Sequence, residues 1–159
     1  MKKQLPTFKN ISGFTLIELM VVIAIIGILS LIAFGTYNSV QSRARDGKRR
    51  GDIDAILKAL EINKATTYQP LTTAQFAGGV VPTDPSNRTP KYCILSSTNN
   101  TTPDKPTAWD TTGACPTTDW APITGTGAQP PSAGTTNFQV CALLESGTAP
   151  NIYCVSNRQ

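Results

Sequence analysis

The chain of 159 residues contains no histidine, two methionines and two tryptophans, and aromatic residues make up only 7% of it. Charged residues are also scarce, at 15%. Without imidazole, no Ser-His or Cys-His nucleophile pair can be assembled. The four cysteines, Cys93, Cys115, Cys141 and Cys154, contain no C-x-x-C pair, and with histidine missing as well the usual zinc-ligand spacings are lacking. No glycine-rich phosphate loop runs into a Lys-Ser/Thr pair, and no two carboxylates stand at a recognisable catalytic spacing. These absences argue against an enzyme, and no metal or cofactor is expected. Proline is missing between Pro6 and Pro70, which leaves room for one long helix.

What the chain does have is an apolar run from Leu16 to Phe34. At about 19 residues it would make roughly 28 Å of helix, enough to cross a hydrocarbon core. One carboxylate, Glu18, sits inside it, and an ionisable group in a membrane span marks a functional site by default. The plainer alternative is a membrane anchor with an acid tolerated near its end. The flanks favour the functional reading. Residues 1–13 carry Lys2, Lys3 and Lys9, no acid, and close on Ser12-Gly13. A secretory signal has its small-residue cleavage site after the apolar stretch; here the small residue precedes it. Cleavage at Gly13 would remove only the basic leader and keep the apolar helix. The basic leader also predicts a cytoplasmic N-terminus and an outward C-terminal part, against a contrary signal from Arg43, Arg45, Lys48, Arg49 and Arg50.

At Gly13-Phe14-Thr15-Leu16-Ile17-Glu18 the chain resembles the type IV pilin and pseudopilin family, over roughly 25 N-terminal residues. The resemblance implies cleavage between Gly13 and Phe14 by a membrane-embedded prepilin peptidase, which also N-methylates Phe14. It implies residence in the inner (cytoplasmic) membrane as a single-pass protein, then polymerisation by an assembly platform into an extracellular or periplasmic helical fibre. The partners would be copies of the chain and other pilins, with membrane lipid around the helix before assembly. Glu18 would pair with the terminal amine of Phe14 on a neighbouring subunit. Phe14 and Glu18, four apart, share one helix face. A buried carboxylate is strongly disfavoured unless paired, so such a pair could fix the axial register.

Beyond the span, Ile53, Ile56, Leu57 and Leu60 form the i, i+3, i+4, i+7 stripe of an amphipathic helix. The expected fold is α+β and pilin-like: a leader over 1–13, a membrane and polymerisation helix over 14–35, its amphipathic continuation over 36–66, and a loop-rich β head over 67–159. Gly35 is a candidate point of helix flexibility, because many pilins place a proline there with a tyrosine two residues later, and this chain has Gly35 and Tyr37. Close approach of a second helix is the alternative use for that glycine. The cations Arg43 to Arg50 raise the possibility of DNA binding. Interleaved with Asp46, Asp52, Asp54 and Glu61, they read more simply as helix-surface ion pairs or contacts to lipid headgroups.

In the head, Lys91–Leu95, Asn137–Leu144 and Asn151–Val155 read as strands, the last two joined by the turn Ser146–Pro150. Gly78–Pro85 reads as loop, and its Pro-x-Asp-Pro segment resembles the major-pseudopilin subgroup. That subgroup binds calcium in a later loop, but Asp104, Asp110 and Asp119 lack an EF-hand-like spacing and read as solvated loop acids. Residues 96–136 are rich in Thr, Pro, Gly, Asn and Ser, with Trp109 and Trp120 as the large anchors. Asn87-Arg-Thr89 and Asn99-Asn-Thr101 match the N-linked sequon. An even number of cysteines in an exported, core-poor domain predicts a disulfide framework. Three connectivities are open; Cys93–Cys115 with Cys141–Cys154 closes the two shortest loops. The class is thus a prepilin-type structural subunit, of a pilus or of a type II secretion pseudopilus, with a membrane-anchored adhesin or DNA-uptake module as the rival from another class.

Overall fold

A computed structural model describes residues 13–86, 92–99, 101, 103–109, 114–116, 119–126, 129–148 and 151–157. The basic leader before Gly13, the sequon at Asn87, the middle residue of the sequon at Asn99, and Asp110 lie outside the described residues. The remainder is α+β. One long helix, α1 (Leu16–Ile62), is followed by a short 3-10 turn at Thr73–Gln75 and four strands: β1 (Tyr92–Ser97), β2 (Ala121–Pro122), β3 (Asn137–Leu143) and β4 (Ile152–Ser156). The chain divides into two compact units, residues 1–38 and 39–159.

In the first unit α1 is apolar all round, and its large hydrophobic side chains from Leu16 to Tyr37 are exposed, as is Phe14 before it. The helix runs in two pieces, Leu16–Ile32 and Phe34–Ile62. No single helix is long and apolar enough to cross a membrane, but the two pieces together pass by length and composition. The break falls two residues before Gly35, where a Cβ would meet nothing within 4 Å.

In the second unit the four strands form one antiparallel sheet in the order β2-β1-β3-β4. The strand period of two sends alternate side chains to opposite faces. On one face Tyr92, Ile94, Phe138, Val140 and Ala142 pack with Ile53, Ile56, Ala59 and Leu60 of α1, and with Tyr68, Leu71, Val81 and Ile123. Each fully buried Ile or Leu of the helix stripe contributes about 1.5–3 kcal/mol. On the other face Cys93, Cys141 and Ile152 pack with Trp109 and Trp120. Thus β3, covered on both faces, is buried along nearly its whole length.

The β3–β4 register places Cys141 opposite Cys154. Their turn is closed at Gly147, whose φ of +111° favours glycine and where a Cβ would come within 2.5 Å of Asn151 Nδ2. The disulfides are Cys93–Cys115 and Cys141–Cys154, the two short-loop pairings. Strand β2 has no counterpart in the sequence reading: it is two residues long and ends in Pro122. Proline is tolerated there because β2 is an edge strand.

Candidate assembly site at the start of the helix

The first turn of α1 is organised around Thr15 and Glu18. The backbone N–H of Thr15 donates to Glu18 Oε2 at 2.8 Å, and the Thr15 hydroxyl donates to the same oxygen at 2.8 Å. In return the N–H of Glu18 donates to Thr15 Oγ1 at 3.3 Å. The carbonyl of Thr15 accepts the first helical bond, from Leu19, at 3.3 Å. This is a capping box, in which an N-cap Thr and a Glu three residues on satisfy two otherwise orphaned donors. The sequence signal for it is Thr15-x-x-Glu18, which overlaps the Gly13–Glu18 motif. Glu18 therefore has a use inside its own chain as well as any use between chains.

Phe14, 89% exposed, and Glu18 line one shallow groove of about 350 Å3 with Ile17, Val21 and Val22. The spacing of four has put aromatic ring and carboxylate on one face. Further along, the one hydroxyl in the middle of the apolar run, Ser30, donates to the carbonyl of Ile26 at 2.8 Å and so adds no unpaired polar group to that surface. The arrangement has no catalytic geometry. It offers a long apolar surface with a single carboxylate one turn from its end.

In the second unit the basic stretch is divided between inside and outside. Arg49 is 1% exposed. Its guanidinium donates to Asp46 at 2.8 Å, to Asp84 at 2.6 and 3.1 Å, to Ser86 Oγ at 2.9 Å and to Glu145 at 2.6 Å. Arg45 forks onto Glu145, with Nε donating at 3.0 and 3.1 Å. Asp46 accepts the backbone N–H groups of Glu145 and Ser146, both at 2.8 Å, and the Ser146 hydroxyl. Burial pushes the Asp46 and Asp84 carboxyls up, but hydrogen bonds outweigh it: Ser146, the Glu145 backbone and Arg49 for Asp46, Arg49 and Ser86 for Asp84. Both end below their usual values. The hydrogen bond from Arg45, helped by Arg49, does the same for Glu145.

Only part of the expected ion pairing lies along the helix: Asp46 with Arg49, and Lys48 with Asp52 at 3.1 Å. Asp52 and two further helix acids also face tyrosines of the head. Tyr92 donates to Asp52 at 2.7 Å, Tyr68 to Glu61 at 2.9 Å and Tyr153 to Asp54 at 3.4 Å. Sequence reasoning missed the partners Asp84 and Glu145. The only signal was that an acid stood between prolines in the loop and another in a turn. Of the acids weighed for calcium, Asp104 and Asp119 are exposed, and among the described residues no group of three or more ligand-type side chains converges.

The class is set by the N-terminal segment. Residues 8–34 match the family described as the prokaryotic N-terminal methylation motif. The chain is 38% identical over 80 residues to the type II secretion system core protein G of Pseudomonas aeruginosa, a stretch covering 50% of this chain and 56% of that protein. It is 45% identical over 47 residues to the type IV major pilin protein PilA of Myxococcus xanthus, covering 30% of this chain and 21% of the pilin. The chain thus spans about half the length of the first of these relatives and about a fifth of the second. No solved structure matches it. The chain thus carries a prokaryotic N-terminal methylation motif and is similar, over part of its length, to a type II secretion core protein and to a type IV pilin.

Proposed function

We propose that the chain is a prepilin-type structural subunit, cut between Gly13 and Phe14, methylated at Phe14, held in the cytoplasmic membrane by the apolar part of α1, and polymerised into a helical fibre. The observation that carries this is the groove shared by Phe14 and Glu18 on an otherwise apolar, exposed helix surface. Burying that surface against neighbouring helices would remove the carboxylate from water. A new terminal amine at Phe14 of the next subunit supplies the charge that such a buried group needs. The capping box gives Glu18 a resting partner in Thr15, so the acid is not left bare while the subunit waits in lipid. The proposed partners are the processing peptidase, an inner-membrane assembly platform, lipid, and copies of this chain or related subunits.

The test is expression of the tagged full chain together with a prepilin peptidase. Intact-mass analysis should show a product beginning at Phe14 and heavier by one methyl group, and negative-stain imaging should show thin fibres. An uncut chain, or a cut chain that forms no fibre under conditions where a control pilin does, would sink the reading.

A second reading places the subunit in a secretion pseudopilus rather than a surface pilus. The 80-residue similarity to core protein G favours it, since that stretch is longer than α1, whereas the 47 residues shared with the pilin are no longer than the helix. Surface fibres at native expression support the pilus; loss of protein secretion on deletion, without surface fibres, supports the pseudopilus. A DNA-uptake or adhesive role has less behind it, because Arg45 and Arg49 are turned inward onto carboxylates.

A further inference from the structure

Within the second unit α1 is attached to the head in two chemically different ways. From Ile53 onward it is held by the buried stripe Ile53, Ile56, Ala59 and Leu60. From Ser39 to Asp52, among the described residues, no apolar side chain is buried: the buried residues are Asp46 and Arg49, and Val40 is exposed. This stretch of helix docks through polar contacts. Arg45, Asp46 and Arg49 reach Asp84 and Ser86 of the segment before β1, and Glu145 and Ser146 of the β3–β4 turn. One turn on, Asp52 accepts from Tyr92, and the Arg50 guanidinium lies 5.3 Å from the Tyr153 ring centre.

We infer that residues 39–52 form a releasable joint, latched to the head by the Arg49 ion cluster, that can undock while the helix from Ile53 onward stays packed. Apolar docking weakens gradually as surface is exposed, whereas a cluster built on one buried guanidinium fails as a unit when a partner is lost. Local opening of this kind is drawn from regions with few buried apolar contacts. Once undocked, the segment has little to keep it helical on its own. It is polar, and Gly47 and Gly51 each cost about 1 kcal/mol relative to alanine. In a fibre, a use that rests on the proposed function, the joint would let the head lean or lag behind its anchored helix without opening the sheet.

The experiment is hydrogen exchange on the full chain in detergent micelles, which requires no fibre and so stands or falls apart from the assembly reading. Two variants are compared with the parent: Arg49→Met, which removes the hub, and Glu145→Gln, which keeps shape and removes one charge. Exchange at residues 39–52 should accelerate by about a hundredfold or more in the first and by about tenfold in the second. The amides of β1 and β3 should remain within about threefold of the parent in Glu145→Gln. The inference is overturned if residues 39–52 keep parental protection in Glu145→Gln, or if they lose it in step with β1 and β3. Should Arg49→Met fail to fold, Glu145→Gln decides alone.

Discussion

At the scale of single residues, Glu18 carries two roles that a pair of substitutions can separate. Glutamine also serves at the third helical position of a capping box, so Glu18→Gln keeps the cap and removes the charge. Glu18→Ala removes both, at about 0.5–2 kcal/mol for the lost cap. If the carboxylate is an assembly contact, both variants should be processed normally yet form few or no fibres, counted by electron microscopy. If only helix initiation matters, Glu18→Gln should assemble like the parent. A second residue, Tyr92, donates to a charged acceptor from a fully buried ring. Tyr92→Phe should lower the unfolding free energy by about 1.5–3 kcal/mol in urea titrations, since hydrogen bonds to charged groups are the stronger ones. The retained Lys48–Asp52 pair keeps the loss from being larger. The contrast in legibility between these residues is physical. Glu18 could be read because its meaning lies in a local spacing. Arg49 could not, because Asp84 and Glu145 are 35 and 96 positions away, and cations interleaved with acids on a helix look the same solvated or buried.

At the scale of elements, the ion cluster gives the head an acid-sensitive seam. Asp46, Asp84 and Glu145 all have folded-state pKa values held below their unfolded ones. Their contribution is therefore fully present above the unfolded values, about 4, and is lost as pH falls through the folded values. Urea midpoints should stay flat from pH 7 to about 5 and fall below about pH 4. Asp84→Asn, which abolishes one of the three titrations, should give a lower midpoint at neutrality and a shallower fall in acid. At the alkaline end the sign reverses. Burial, then the Glu61 contact, pushes Tyr68 up to about 12. Its contribution is present below the unfolded tyrosine value of about 10 and is lost as pH rises toward that raised value. Elements themselves were legible where periodicity and turn chemistry agreed: α1 from its proline-free span and its stripe at Ile53, β3 and β4 from two apolar runs about a Gly turn. Strand β2 was not, since two residues ending in proline carry no periodic signal. The amphipathic continuation was expected over 36–66, and α1 ends at Ile62.

At the scale of the whole molecule, the core is confined to one part of the chain. Among the described residues every buried hydrophobic side chain lies at Ile53 or beyond, and both disulfides join residues of the head. The apolar part of α1 contributes surface and no core. A chain cut to residues 39–159 should therefore fold as a soluble monomer, with the same disulfides and a thermal midpoint within a few degrees of the full chain in detergent, about 1 kcal/mol or less. Size-exclusion chromatography and circular dichroism check this, and aggregation or a molten spectrum would show that the apolar part of α1 also supports the fold of the head. The same fragment isolates the role of the disulfides. Cys93–Cys115 closes a separation of 22 residues that includes Trp109, and Cys141–Cys154 one of 13 residues. In the chain-entropy account each is worth about 3 kcal/mol. However, the β3–β4 hairpin is also held by its ladder and its turn, whereas the described residues around Trp109 form no ladder of their own. Removing Cys93–Cys115 as a double serine variant should thus loosen the tryptophan layer first, seen as red-shifted tryptophan emission, with β3 still protected from exchange. If the tryptophan emission and β3 protection were lost together, the layer would be an integral part of the sheet core. It would then not be a flap fastened to the sheet by a covalent bond.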